Sequence, residues 1–344
     1  MKKPLVTIVM PVYNVALYIE RALLSAIRQT YSNLEIILVD DCGKDDSIQI
    51  AEQIIAQYDT EHKVRILHHD HNRGLSAARN TGLDNMQGEY VYFMDSDDAI
   101  TEDCIEDLEA LAEKYPKAEI IQGSMVLIPA EENDWHDINT KIDFPDYTEN
   151  KDWIMRHIFA MKNFIPVNAC GKLISKHWID ESQGKLTFIE GIIHEDDRWI
   201  FDVSQRIRAI AFSCHVSYLH YRVEGSIMTS KAKSHYKSLY AEIRIIDDSY
   251  SYMNNEWQKY MLIYMGADAI ETYLMINLRS EDRQLYYPYR KRLWKILFKS
   301  MQLGLGYLAW TLLITLLCPL SFTKGVRYIR RVNLQRLIAY QEQY

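Results

Sequence analysis

The sequence predicts an α/β protein in which a mostly parallel β-sheet is flanked by helices and followed by a helical C-terminal region. Residues 5–114 alternate short β-branched runs with amphipathic segments, a pattern typical of parallel strands joined by crossover helices. The 344 residues, with 48% hydrophobic composition, are enough for a sizeable core. Beyond residue 226 the chain has helical character and many tyrosines.

The individual elements follow from apolar periodicity, taken in chain order. A β-branched run at residues 5–10 predicts the first strand, which Pro11 is expected to end because proline lacks the backbone donor of a sheet ladder. An acidic stretch rich in Asn, Asp and Pro, residues 129–149, predicts a long loop. In between, we predict strands at 34–39, 64–67 and 90–94 and helices at 15–29, 46–57, 75–85 and 101–114.

Composition argues against several classes of protein. A net charge of −8 argues against nucleic-acid binding by bulk electrostatics. The 5 cysteines are scattered and form no C-x-x-C pair, which argues against a disulfide framework or a zinc site and fits a reducing cytosolic setting. Because Met1 leads directly into a strand-like segment, we expect no signal peptide. The sequence also lacks the glycine-rich phosphate loops of dinucleotide-binding and P-loop proteins.

Polar clusters follow three of the predicted strands, namely Pro11-Val12-Tyr13-Asn14, Asp40-Asp41 and Asp95-Ser96-Asp97-Asp98. In a parallel sheet, ligands bind beyond the carboxyl ends of the strands. The two carboxylates of a D-x-D turn are the hard oxygen ligands that Mg²⁺ or Mn²⁺ prefers, so Asp95 and Asp97 are candidate metal ligands. Alternatively, Asp97 or Asp98 caps the helix that follows.

Other polar side chains near this edge are candidates for contacts with a nucleotide. Asp41 is expected to contact the base or ribose, while Asp45 or Asp46 caps the next helix. Arg73 and Arg79, in the dense segment 71–82, are candidates for neutralising phosphate or stacking on a base. Alternatively, Arg79 is a buried partner for an acid at the sheet edge.

A second group of candidates lies further along the chain. Asp196, within His194-Glu195-Asp196-Asp197, is separate from the metal pair and is a candidate general base. Acids at a helix N-terminus are also favoured by the helix dipole, which is the structural alternative. Arg222 is a candidate for a diphosphate contact and His220 for an additional metal ligand. For Lys172 we expect a solvated surface position rather than a phosphate contact.

In combination, these motifs resemble the inverting family 2 glycosyltransferases, which have the GT-A fold. The resemblance covers residues 4–222 and rests on segments that occur in the family's order. They are V-M-P-V-Y-N at 9–14, V-D-D at 39–41, R-G and A-A-R-N-T-G within 73–82, Y-F-M-D-S-D-D at 92–98 and H-E-D at 194–196.

This resemblance implies a metal-dependent transferase that uses a nucleotide-sugar. Asp97 resembles the principal ligand of Mn²⁺ or Mg²⁺, Asp95 the acid near the ribose or diphosphate, and Asp196 the base that deprotonates the acceptor hydroxyl. Pro11, Tyr13 and Asp41 resemble the pocket for the nucleotide base. The full set of expected nucleotide-sugar contacts is Pro11, Val12, Tyr13, Asn14, Asp41, Arg73, Arg79, Asp95, Ser96 and Arg222, and the expected metal ligands are Asp97, Asp95 and His220.

One departure from the family refines the expected activity. Processive members carry a Q-x-x-R-W motif, whereas Arg198-Trp199 has no Gln three residues before the arginine. We therefore expect addition of a single sugar, from a UDP-sugar, to a glycan or lipid-linked acceptor in surface polysaccharide synthesis. The alternatives are a nucleotidyltransferase, for which the glycine-rich phosphate loop is missing, and a non-catalytic nucleotide-binding protein, against which the metal pair together with Asp196 argues.

The expected organisation is a catalytic domain at residues 1–225, with a nucleotide-sugar half at 1–100 and an acceptor half at 101–225, and a helical C-terminal region at 226–344. Residues 303–322 are uncharged and mostly apolar, with basic residues on both sides. The segment is just long enough to span a bilayer, but basic flanks on both sides favour a hairpin or an in-plane helix on an anionic inner membrane leaflet, and a buried helix is the alternative. We expect a cytoplasmic protein held peripherally on the inner face of the cell membrane.

Overall fold

The structure is a computed structural model. It describes residues 3–61, 63–128, 145–158, 165–181, 185–192, 195–222, 283–302, 304 and 306–317. The predicted loop at 129–149 lies outside these residues except for 145–149. His194 and residues 226–282 of the predicted helical region also lie outside them.

The described chain contains a mixed sheet with helices on its connections. The strands are Val6–Val12 (β1), Leu34–Asp40 (β2), Val64–His68 (β3), Tyr90–Phe93 (β4), Ala99–Ile100 (β5), Ile120–Ile128 (β6), Tyr147–Thr148 (β7), Lys172–Ser175 (β8) and Ile210–Tyr221 (β9). The helices are Ile19–Ile27 (α1), Ser47–Tyr58 (α2), Leu75–Asn85 (α3), Cys104–Lys114 (α4), Lys151–Ile158 (α5), Lys176–Glu181 (α6), Glu195–Arg206 (α7), Arg283–Gln302 (α8) and Gly306–Leu317 (α9). Each helix and strand that we predicted up to residue 114 is present.

The strand order is β3-β2-β1-β4-β8-β6-β9-β5, with β7 pairing with β9. The first four strands in this order are parallel, as predicted. β8 is antiparallel to both of its neighbours, β4 and β6, whereas β6 and β9 are parallel. The sheet is therefore parallel in its first half and mixed in its second, because strand and helix stop alternating along the chain after α4.

The first strand continues past the proline that we expected to end it. Pro11 and Val12 pair in register with Val39 and Asp40 of β2. On the other side of β1, Met94 N donates to Val9 O, and pairing with β4 has ended at Phe93. Pro11 O faces that side, where it accepts a 2.7 Å hydrogen bond from Ser96 Oγ. Since none of the described strands pairs with Pro11 on that side, its missing N–H breaks no ladder bond.

Helix α3 packs closely against β1, and its small residues make this possible. Ser76, Ala77, Ala78 and Gly82 are buried on its inner face. A Cβ at Gly82 would overlap the side chain of Val9. Any larger residue there would force the helix away from the sheet. The start of α3 lies close to the carboxyl end of β2, since Gly74 N, just before the helix, donates to Asp41 Oδ2 at 2.8 Å.

The chain divides into two compact units, residues 1–154 with 167–230 and residues 155–166 with 231–344. The expected domain boundary after residue 225 stays a prediction. In the second unit, α8 and α9 follow one another through Gly304, which has a positive φ of 72°. Within segment 303–322, the structure describes residue 304 and helix α9. None of the described helices has the length and apolar character needed to cross a membrane.

Candidate active site

The candidate site lies at the carboxyl ends of β1, β2 and β4, where the sequence predicted it. The turn after β4 carries Asp95 to Asp98, and the loop after β2 carries Asp41. Asp196 is the second residue of α7 and approaches the same place from the other half of the sheet. The convergence of these segments allows their side chains to act on one ligand.

The surroundings of Asp97 destabilise the ionised form of its carboxylate. Burial, together with repulsion from the carboxylates of Asp95 and Asp98, raises the pKa of Asp97 to about 7. No hydrogen bond from another described residue reaches its carboxylate. A bound divalent cation would relieve this penalty because it stabilises the ionised form. The carboxylate oxygens of Asp95 and Asp97 therefore fit Mn²⁺ or Mg²⁺ in chemistry.

Asp98 anchors the D-x-D turn to β9 and does not cap a helix. Its buried carboxylate accepts hydrogen bonds from Tyr218 Oη at 2.7 Å, Tyr221 N at 2.9 Å and His220 Nδ1 at 3.1 Å. Tyr218 Oη in turn accepts from Asp95 N at 3.2 Å. Because α4 begins only at Cys104, the helix-cap alternative for Asp97 and Asp98 is excluded.

His220, predicted as a metal ligand, is therefore bound to Asp98. This hydrogen bond raises the pKa of His220. Within the described ranges, no three His, Cys, Asp or Glu side chains are grouped to hold a metal ion by themselves. The structure thus does not bring Asp95, Asp97 and His220 together as a three-ligand site. Magnesium-type sites in enzymes commonly take only one or two carboxylates and complete the shell with substrate phosphates and water.

A buried arginine joins the two halves of the site. Arg79 Nη1 donates to Glu195 Oε1 and to Asp196 Oδ1, both at 2.9 Å, and Nη2 donates to Asp95 Oδ1 at 3.2 Å. We call Arg79, Asp95, Glu195 and Asp196 the Arg79 cluster. Its guanidinium lies over the ring of Phe188, 5.2 Å from the ring centroid. With 1% of its surface exposed, Arg79 contacts acids and not solvent.

This geometry corrects the nucleotide contact predicted for Arg79 and supports the alternative of a partner for sheet-edge acids. The reason is that the Arg79 guanidinium is buried and its donors are directed at Glu195, Asp196 and Asp95. Sequence position alone does not distinguish a guanidinium beneath the acids from one beside a phosphate.

We expect Arg79→Met to lower the free energy of unfolding by about 3–5 kcal/mol, because it leaves buried carboxylates without their partner. Arg73→Met is the matched control. Arg73 Nη2 contacts Glu190 Oε1 at 3.3 Å in an exposed ion pair, for which the cost is about 0–1 kcal/mol. Urea unfolding of both variants measures the difference. Equal losses in the two variants would contradict the structural importance of the Arg79 cluster.

Asp196 has the surroundings of a general base. Its Oδ1 accepts from Arg79 Nη1 and, at 3.3 Å, from Ala169 N, whereas no donor among the described residues reaches Oδ2. Its side chain is partly exposed. Burial and the Asp196 carboxylate raise the pKa of the adjacent Glu195 to about 7. One oxygen of Asp196 is therefore fixed in place while the other is available to take a proton.

Three other predicted nucleotide contacts are buried and hold the backbone of the site. Val12 is within β1, and Ser96 binds Pro11 O as described above. The Asp41 carboxylate accepts from His69 Nδ1 at 2.7 Å, Asn72 Nδ2 at 3.0 Å, and the backbone N–H groups of Arg73 and Gly74, both at 2.8 Å. Four donors fill its lone pairs, so Asp41 shapes the loop at 69–74. Direct contact of Asp41 with the base stays a prediction.

The remaining predicted contacts are accessible to a ligand. Tyr13 and Asn14 are exposed beyond β1, and Asn14 has a positive φ of 55° that turns the chain. Arg73 is partly exposed, Pro11 is partly buried at the end of β1, and Arg222 is exposed just after β9. Of the two expected caps of α2, Asp46 occupies the N-cap position without a side-chain cap hydrogen bond, and Asp45 Oδ1 accepts from Ser47 N at 3.2 Å.

Sequence reasoning missed several residues that shape the site. Tyr218 of β9 donates to Asp98, which lies 120 residues earlier in the chain. Arg21 Nη2 in α1 donates to Asp97 O at 2.5 Å. Alternation along β9 puts Tyr218 and His220 on one face, which was the available signal. The expectation of a solvated Lys172 was wrong, because its side chain is buried at the start of β8.

Comparison with known proteins identifies related chains. Residues 7–173 match the family described as Glycosyl transferase family 2. An uncharacterized glycosyltransferase of Haemophilus influenzae is 44% identical over 106 residues, which are 31% of this chain and 41% of that protein. Cholesterol galactosyltransferase of Borreliella burgdorferi is 24% identical over 307 residues, covering 85% of this chain and 82% of that protein. The match thus spans less than half the length of the Haemophilus relative.

The fold has a counterpart among solved structures. The crystal structure of S. aureus TarS 1–349 in complex with UDP-GlcNAc is similar with a TM-score of 0.68 at 17% sequence identity, covering 98% of this chain and 92% of that chain. At this identity the likeness establishes the fold alone. It confirms the GT-A fold and the helical C-terminal region predicted from the sequence.

Proposed function

We propose that this chain, whose residues 7–173 match Glycosyl transferase family 2, transfers one sugar from a UDP-sugar to a hydroxyl of a glycan or lipid-linked acceptor, with inversion at the anomeric carbon. The product would be a surface polysaccharide. The observation that carries this proposal is the Arg79 cluster, in which one buried guanidinium holds Asp95 of the D-x-D turn and Asp196 of α7 at fixed positions.

The arrangement supports a single displacement. Asp196 Oδ2 would take the proton from the acceptor hydroxyl while that oxygen bonds to the anomeric carbon. The bond between the anomeric carbon and the diphosphate breaks in the same step, and the nucleoside diphosphate leaves with the electron pair. Attack from the face opposite the leaving group inverts the anomeric centre. Arg79 keeps the Asp196 carboxylate oriented through Oδ1, so that Oδ2 faces the acceptor.

Asp97 and Asp95 would hold Mn²⁺ or Mg²⁺. When bound, the ion supplies positive charge that stabilises the leaving diphosphate. The chain itself contributes the fixed turn. Asp98 ties it to β9, and Arg21 ties the carbonyl of Asp97 to α1. Both contacts keep the two carboxylates in place before a ligand binds.

The relatives support the choice of donor and acceptor. The TarS structure contains UDP-GlcNAc, which supports a UDP-sugar donor. The Borreliella relative is named for a galactosyl donor and a cholesterol acceptor, which supports a lipid or lipid-linked acceptor. A screen of UDP-sugars, with release of UDP as the readout in the presence of Mn²⁺, tests the proposal. Absence of UDP release from every donor, with and without lipid-linked acceptors, would overturn it.

We also propose that the chain is held peripherally on the inner face of the cell membrane through residues 303–322. In α9, Trp310 and Leu317 are 57% and 61% exposed. The preceding helix α8 exposes Lys291 and Lys295. Apolar side chains at the headgroup boundary together with lysines suit an anionic lipid surface.

We expect the double variant Trp310→Ser, Leu317→Ser to bind vesicles containing phosphatidylglycerol at least about 10-fold more weakly, because burying such side chains contributes roughly 1.5–3 kcal/mol each. Co-flotation with vesicles measures binding. Leu17→Ser is the matched control, since Leu17 is 87% exposed in the other unit. Undiminished flotation of the double variant would refute attachment through α9.

A further inference from the structure

Lys172 is a buried cation for which the proposed mechanism has no use. It is the first residue of β8 and is 1% exposed. Its Nζ donates to Asn168 O at 2.5 Å, and no salt bridge joins it to a described carboxylate. Burial lowers the pKa of Lys172 to about 8. A buried ammonium costs stability unless its surroundings compensate, so its position calls for a specific cause.

The hydrogen bond from Lys172 closes a short turn, residues 168–171, that contacts the candidate base. Ala169 N in this turn donates to Asp196 Oδ1 at 3.3 Å. Cys170 Sγ lies 3.8 Å from Arg79 Nη2. Gly171 has a positive φ of 72°, and its carbonyl accepts from Gly123 N at 2.9 Å. The turn is thus fixed on one side to β6 and on the other to the Arg79 cluster.

We propose that Lys172 is a positioning residue for Asp196. By holding the Asn168 carbonyl it fixes the turn that directs Ala169 N–H at Asp196 Oδ1. This inference rests on the proposed role of Asp196 as the base. It adds a second cation to a site in which Arg79 alone is shared among three carboxylates.

The test is backbone hydrogen exchange at Ala169, which needs no substrate. The full chain is exchanged into D₂O, and the Ala169 amide is followed by NMR, with the Gly123 amide, which donates to Gly171 O on the β6 side, as internal control. Lys172→Arg keeps a donor for Asn168 O, whereas Lys172→Met removes it. We expect the Ala169 amide to exchange at least about 10-fold faster in Lys172→Met and at an unchanged rate in Lys172→Arg, because the turn opens more often without the hydrogen bond that closes it.

Unchanged exchange of the Ala169 amide in Lys172→Met overturns the proposal, as does an equal acceleration at Gly123, which would indicate a general loss of stability. Lys172→Gln serves as a second neutral variant, and thermal unfolding reports whether each variant is folded. If neither neutral variant folds, Lys172 acts on fold stability and the positioning role is rejected. Failure of sugar transfer by the unmodified protein would count against the proposed function without changing this exchange measurement, so the two failures are distinguishable.

Discussion

Asp196→Asn is expected to lower kcat for sugar transfer by about 10²–10⁴-fold and to leave UDP affinity unchanged. Asparagine has the shape of aspartate, and its Oδ1 can still accept from Arg79 Nη1 and Ala169 N. The amide cannot take the proton of an acceptor hydroxyl. The loss should therefore fall on the chemical step and not on donor binding.

Two measurements separate these effects. Release of UDP in the presence of acceptor gives kcat, and calorimetry with UDP and Mn²⁺ gives donor-site affinity. Asp197→Asn is the matched control, because Asp197 lies in the same first turn of α7 and neutralising it removes the same helix-dipole interaction. Loss of UDP binding in Asp196→Asn would show that Asp196 is structural. A similar loss of kcat in both variants would attribute the effect to the helix N-terminus.

Local patterns were sufficient for the first half of the fold. The spacing of apolar residues predicted β1 to α4 because each element buries one face or one stripe, and that periodicity is visible in a short window. The exception was Pro11, which stays in β1 because, in the part of the chain that the structure describes, no strand pairs with it on the side of its missing N–H. That condition depends on where β4 ends, and a local window contains no such information.

The second half of the sheet depends on contacts between distant residues. β8 lies between β4 and β6, so Leu173 pairs with Tyr92 on one side and Ile121 on the other. No turn sequence joins β8 directly to β4 or β6. Their antiparallel pairing brings together residues that are far apart in the sequence, and the periodicity of a short window gives no information on such pairs. The prediction of a mostly parallel sheet extended the pattern of the first half too far.

The candidate site shows the same division. Asp95, Asp97 and Asp196 were predicted because acids at strand ends and at a helix start are visible in sequence. The role of Arg79 depends on partners more than 100 residues away, Glu195 and Asp196, and it became clear only from the fold. Burial distinguished the remaining candidates from one another. Ser96 and Asp41 are buried and form hydrogen bonds with backbone groups, whereas the sequence suggested contacts with a ligand.

Asp97→Ala is expected to abolish the Mn²⁺-dependent part of UDP binding and to lower kcat by about 10²–10³-fold, since a bound cation contributes several kcal/mol of charge stabilisation. Calorimetric titration of UDP with and without Mn²⁺ measures the first effect. Asp84→Ala is the control for loss of a carboxylate, because Asp84 forms an exposed ion pair with Lys185. Unchanged turnover in Asp97→Ala would contradict the assignment of Asp97 as a metal ligand.

The pH dependence of metal binding gives an independent test of the same residue. With a pKa of about 7 in the metal-free protein, the Asp97 carboxyl is about half protonated at neutral pH. Since a cation binds the ionised form, Mn²⁺ affinity should fall by up to about 10-fold per unit below pH 7 and level off above pH 8. If a different carboxylate held the ion, Asp97→Ala would keep this midpoint. If Asp97 is the ligand, the midpoint disappears with the side chain.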